Sequence, residues 1–201
     1  MIFARRSLLT LPLMAVAATA GAEPAAARFR VMREGREIGT HQVSLRGTPA
    51  RQSVRTELDL HVKLLGFTVF RLRHEIEEDW ERDQLLRLVS RHERNGSLTT
   101  TQIVVEAGGL AAHGPEGTQR LPRNAAPLTW WNPAIFARPL FRPVNGQLFT
   151  GQIARSAANG GSQYRLTSEI TTTAGYDAAA RWIAFTTQGE DGSAVTYEPL
   201  G

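Results

Sequence analysis

The sequence predicts an all-β fold: one strongly coiled antiparallel meander sheet, half-open or closed as a barrel, with one long Pro/Trp-rich loop carrying a short helix. Three observations lead there. Short runs alternate apolar and polar residues, which puts one strand face in a core and the other in water. Gly, Asn, Asp and Pro recur between the runs at hairpin spacing. Two runs within Arg51 to Glu81, joined at Leu65-Gly66-Phe67, are too long to lie flat in a small domain and must coil.

The first stretch is not expected in the fold. Arg5 and Arg6, the apolar run Leu8 to Thr19, and the small-residue sites Ala18-Thr19-Ala20 and Ala20-Gly21-Ala22 lay out a cleavable signal peptide over residues 1–22. The run is short for a bilayer, so no stable membrane span is expected after cleavage. The Arg pair leaves the general secretory and twin-arginine routes both open. Residues 23–201 are then a single β-rich domain, periplasmic or secreted.

Composition narrows the chemistry. The 201 residues include no Cys, which excludes disulfides, thiolate metal sites and Cys nucleophiles. A pI near 10.3 suggests a nucleic-acid partner, but the charge does not support one. Lys and Arg number 23 against 19 acids, Arg5 and Arg6 fall in the leader, and the rest interleave with acids, as in Arg91-His92-Glu93-Arg94. That pattern is a solvated mixed surface, and no nucleic acid is expected.

In order, Phe29 to Glu34 alternates weakly and is expected as an edge strand. Ile38 to Arg46 follows after Gly35 as its hairpin partner, and Gly47-Thr48-Pro49 ends the pair. In the long hairpin, even positions are apolar: Val54, Leu58, Leu60, Val62 and Leu64, then Phe70, Leu72, Ile76 and Trp80. Odd positions carry charges such as Arg55, Glu57, Glu75 and Glu77. Leu86 to Arg94 and Leu98 to Glu106 form the next hairpin, closed by Asn95-Gly96, a strong two-residue turn signal. Gly114-Pro115-Glu116-Gly117 splits a short polar hairpin.

Asn124 to Asn145 breaks the pattern, with Pro127, Pro133, Pro139 and Pro143 and two of the four Trp. Asn132-Pro133 reads as an N-cap with Pro in first position, so a short helix is expected over Pro133 to Arg138. A connection this long is a functional loop or a packed plug. Strands then resume at Gln147 to Ser156, Gln163 to Thr172, Arg181 to Gln188 and Ala194 to Glu198. Their separators are Asn159-Gly160-Gly161, Gly175-Tyr176-Asp177 and Glu190-Asp191-Gly192.

An ordered set of motifs runs through the chain: Gly35, Ile38-Gly39-x-His41, Leu65 to Arg71, His74, Trp80, Asn95-Gly96, Thr129-Trp130-Trp131-Asn132-Pro133, Gly146 and Asp191-Gly192-Ser193 with Tyr197. The set resembles the domain of unknown function 6134 family of exported bacterial proteins. The resemblance implies a β-rich exported architecture. It brings no established activity and no catalytic or binding residues.

Two groups of residues are candidates for chemistry. His74 and Glu78 are ionisable groups on the apolar face of the long hairpin, four residues and about 13 Å apart along the strand, with His92 a candidate partner from the next strand. They make either an interior site for a ligand headgroup or a set of buried groups satisfied by hydrogen bonds. Trp130, Trp131 and Asn132 either face a ligand or belong to an apolar plug with Phe136, Leu140 and Phe141. The five His residues lack metal-binding spacing, so no metal or cofactor is expected. No nucleophile-elbow or phosphate-loop motif occurs. The leading expectation is a non-enzymatic binding protein that holds an apolar or amphipathic, lipid-like ligand inside the wrapped sheet. The alternatives are an envelope interaction module with a filled core, using a protein partner on the edge Phe29 to Glu34, and an enzyme using His74 and Glu78.

Overall fold

Alternation makes the strands, and turn chemistry sets their order. The computed structural model describes residues 27–158 and 160–200; the expected signal peptide, residues 1–22, lies outside them. Eight consecutive antiparallel strands come first: β1 (Ala27–Arg33), β2 (Arg36–Thr48), β3 (Arg51–Leu64), β4 (Phe67–Glu81), β5 (Gln84–Arg94), β6 (Ser97–Glu106), β7 (Gly109–Gly114) and β8 (Gly117–Leu121). A connecting segment follows. It holds a short parallel pair, β9 (Ala126–Pro127) with β10 (Leu140–Phe141), and between them one 3-10 turn over Pro133–Ala137. Five more antiparallel strands complete the chain: β11 (Gln152–Ala158), β12 (Gly161–Thr167), β13 (Thr171–Tyr176), β14 (Trp182–Gln188) and β15 (Ala194–Pro199). Strand β15 pairs with β1, so both meanders merge into one 13-stranded sheet with β8 and β11 at its edges.

The long hairpin carries the expected two faces. Val54, Thr56, Ile76, Glu78 and Trp80 are buried, while Arg55 on the other face pairs with Glu57 at 2.8 Å and Glu77 at 3.3 Å. Burial fades toward its far end, where Leu60, Val62, Phe70 and Leu72 are half-buried. The Asn95-Gly96 turn has φ of 51° and 86°, the left-handed pair that tight hairpins use. Register shifts at Val31/Met32, Val62/Lys63 and Asp79/Trp80 bend the strands and raise their twist. The sheet curls until distant parts meet: Arg94, ending β5, holds Glu190 of the β14–β15 turn at 2.6 Å.

The segment from β8 to β11 crosses the open side of this curl. Ala125, Ala126, Ile135, Phe136, Leu140 and Phe141 are buried and share one core with Leu88, Ile103 and Trp80 from one limb and Leu166, Tyr176 and Phe185 from the other. Polar contacts fasten it on both sides. Thr101 Oγ1 donates to the Val144 carbonyl at 2.7 Å, and the Tyr176 hydroxyl donates to the Trp130 carbonyl at 2.6 Å. Gly146 shows how close the approach is: its φ is +74°, and a Cβ there would lie 2.5 Å from the Ala112 Cβ.

Three sequence expectations are corrected. Phe29 to Glu34 is not an edge. Strand β1 has β2 on one side and β15 on the other, and that second pairing joins the first and last described strands, which local alternation cannot reveal. The envelope-partner edge proposed there is therefore covered. Gln163 to Thr172 is two strands, because the chain turns at Ser168–Ile170, where the Ser168 N–H bonds the Ile170 carbonyl. Gln147 belongs to the crossing segment, since its carbonyl accepts from the Arg142 N–H at 2.8 Å; β11 begins at Gln152.

Candidate ligand-binding site

Two separate clusters on the inward face of the sheet hold the ionisable groups His41, His74, His92 and Glu78. One is a row across the strands. His41 on β2 lies opposite Leu58 on β3, which faces His74 on β4, which faces His92 on β5. The His74 and His92 rings meet edge-on at 5.1 Å, and His74 Nε2 is 2.8 Å from the Ser90 hydroxyl. His41 is fully enclosed between Trp182 and Tyr197, with Nδ1 3.3 Å from the Tyr197 hydroxyl and no hydrogen-bond partner for Nε2 among the described residues. Burial lowers the His41 pKa to about 3, helped by nearby His74. Burial likewise lowers His74 to about 4, helped by His92. Both imidazoles are neutral at pH 7. His41 is not among the residues that the sequence singles out for a site, yet it shares its strand face with Val43, which is buried, and Leu45.

The second cluster surrounds Glu78, two inward positions away with buried Ile76 between. Trp80 Nε1 donates to Glu78 Oε2 at 2.7 Å, and Trp131 Nε1 donates to the same oxygen at 3.3 Å. The two indoles meet edge-on at 6.0 Å. Glu78 Oε1 has no partner among the described residues. Burial raises the Glu78 pKa to about 7, and the Trp80 indole, the nearby Thr129 hydroxyl and the Trp131 indole keep it from rising further. His74 thus joins His92, and Glu78 joins Trp131; His74 and Glu78 have separate partners. Among the described residues no three His, Asp or Glu side chains are grouped to hold a metal ion.

Trp130 and Asn132 do different work. Trp130 packs edge-on against Phe185 at 4.8 Å and holds a φ of +67°, a strained value for a bulky residue, fixed by the Tyr176 hydroxyl on its carbonyl. The Asn132 side chain caps the 3-10 turn by accepting from the Ala134 N–H at 3.0 Å.

Trp131 and Asn132 also border an open cleft of about 490 Å³. Phe29, Val43, Leu45 and Trp182 line it from the sheet, Trp131 and Pro133 line it from the crossing segment, and Arg28 and Arg181 border it, the Arg181 guanidinium paired with Asp177 at 2.7 Å. The Glu78 carboxyl therefore holds one wall of the cleft, by way of the Trp131 indole. Beneath the crossing segment the wrapped sheet is filled by Ile135, Phe136, Leu140 and Phe141.

Such a protein is defined by one antiparallel sheet curled about an internal apolar segment. The chain belongs to the family described as Domain of unknown function (DUF6134), which matches residues 29–200. Its fold is similar to the crystal structure of a β-barrel-like protein of Domain of Unknown Function DUF1849 from Brucella abortus. The TM-score is 0.59 at 8% sequence identity, over 87% of this chain and 94% of that one. No curated protein matches the sequence.

Proposed function

We propose that this is an exported, non-enzymatic protein that binds an amphipathic ligand, an apolar chain with an anionic head, in the cleft between Trp131 and Trp182. The cleft itself carries the reading. Its volume of about 490 Å³ falls in the range of small-molecule sites, and its lining is mainly apolar and aromatic with a few polar groups, Arg28 and Arg181 among them. Two indoles offer wide apolar contact, and a guanidinium suits a carboxylate or phosphate head. On this reading the lipid-like ligand sits at the mouth of the sheet rather than deep inside it. The leader-like residues 1–22 support export.

The test is native mass spectrometry with solvent extraction of protein purified from the compartment to which it is exported. A co-purifying acyl compound, lost in a Trp131→Ala, Trp182→Ala double variant, is expected. Ligand-free protein that also fails to take up added long-chain carboxylates would refute the proposal. A second reading, an envelope interaction module, rests on the filled interior and on edge strand β11, whose residues Gln152–Ala157 are exposed. That reading needs no cleft ligand, and the same experiment separates the two.

A further inference from the structure

The far end of the β3–β4 hairpin has no role in the core or the cleft. The cleft sits where Ala27 faces Val43; the hairpin runs out past the opposite end, beyond Leu60 facing Gly39. At its tip Leu65 is 91% exposed, Phe67 76% and Val69 55%. Leu65 and Gly66 take φ of 50° and 86°. A tight turn of this kind favours Asn or Asp before Gly, and Leu is costly there in both conformation and hydration. The tip therefore carries apolar groups where local structure favours polar ones.

On the hairpin tip itself the charges are of one sign; the neighbouring strands bring Glu34 and Glu37, with Arg33 and Arg36, beside Lys63, and Glu93 beside Arg71. From Leu60 to His74 the hairpin contains no Asp or Glu, but it carries Lys63, Arg71 and Arg73. Arg73 is neutralised by Glu75. Among the described residues, neither Lys63 nor Arg71 has a carboxylate partner, and Arg71 Nε instead donates to His61 Nε2 at 2.9 Å. Lys63 is the sole Lys of the chain. An apolar point with basic groups behind it matches the layering of a bilayer surface: apolar groups enter the acyl boundary, while long basic side chains stay level with anionic headgroups.

We infer that the β3–β4 tip docks the protein on anionic phospholipid bilayers, with Leu65, Phe67 and Val69 inserting and Lys63 and Arg71 contacting the headgroups. The inference is independent of the cleft ligand. It is tested by flotation of the exported chain, residues 23–201, with vesicles of phosphatidylglycerol and phosphatidylcholine or of phosphatidylcholine alone. The protein is expected to float with the anionic vesicles and much less with the neutral ones. Binding should fall about tenfold or more in a Leu65→Ser, Phe67→Ser, Val69→Ser variant, since three apolar side chains lose their burial, and also in Lys63→Gln, Arg71→Gln.

An unchanged thermal midpoint shows that the variants are folded. Because the chain has no Cys, Phe67→Cys carrying an environment-sensitive dye gives a second readout, a blue shift on anionic vesicles. No flotation with anionic vesicles would overturn the inference, as would equal flotation of the tip variant. A tip-dependent dimer without vesicle binding would also overturn it and assign the surface to a second copy.

Discussion

Glu78 is a carboxyl that the fold moves into the neutral pH range. Enclosed in the core, its pKa moves from 4.5 to about 7, so the folded state holds a proton that the unfolded chain releases. Its contribution to stability is whole below pH 4.5 and is lost as the pH rises through about 7, roughly 3 kcal/mol in all. The buried imidazoles act in the opposite sense. His41 and His74 have folded values of about 3 and about 4, below the ordinary 6.5, so their contributions are whole above pH 6.5 and are lost as the pH falls toward those values. Glu78→Gln keeps an acceptor for the two indoles and removes the proton. Denaturant unfolding from pH 4 to pH 8 should show the stability difference between the two proteins shifting by roughly 3 kcal/mol, in favour of the variant at higher pH. A difference that does not vary with pH would mean that Glu78 titrates as an ordinary carboxyl. From the sequence, Glu78 and His74 stood out as ionisable groups among apolar ones. Their spacing along the strand was legible too, but the partner of Glu78 was not, because Trp131 reaches it from a segment remote in the chain.

The crossing segment is the element on which the architecture turns. It fills the curl with Phe141, which is fully buried, and it fits only because Gly146 lies against Ala112. Phe141→Ala should cost about 3–5 kcal/mol, the usual range for a large aromatic removed from a core. Gly146→Ala combines a left-handed backbone with overpacking, each worth about 1–3 kcal/mol. Pairing it with Ala112→Gly should recover the packing part alone, a partial rescue readable in a double-mutant cycle. Full rescue would mean that backbone strain contributes nothing. The segment was legible as a break in alternation, rich in Pro and Trp, and Asn132-Pro133 announced its short helical turn. Its position between the limbs was not legible, since a plug and a lid share one apolar composition. The stretch after Gly161 differs from the single expected strand for a related reason. Ser168-Glu169-Ile170 contains no Gly or Pro, so nothing in its chemistry marks the turn.

Across the described residues, one sheet joins the first and last strands, β1 and β15, while β8 and β11 are left at its edges. Local pattern identified the strands of each meander, but the seam between those two strands is a non-local pairing with no signature in either strand alone. Stability should follow this order. Amide hydrogen exchange is expected to be slowest in the central strands β1 to β4 and fastest in β11, whose residues Gln152–Ala157 are exposed and which pairs with β12 alone. Uniform protection across the sheet would contradict that gradient. The same geometry puts the cleft and the β3–β4 tip at opposite ends, so ligand uptake and membrane contact are separable by mutation. The central claim is that the cleft binds an amphipathic anion between Trp131 and Trp182. It is tested most directly by titrating the protein with a bromine-substituted long-chain carboxylate, which quenches indole fluorescence on contact. Saturable quenching is predicted, weakened in Arg28→Gln, Arg181→Gln and unaffected by the tip substitutions. Quenching that never saturates, or that ignores the two Arg substitutions, would contradict it.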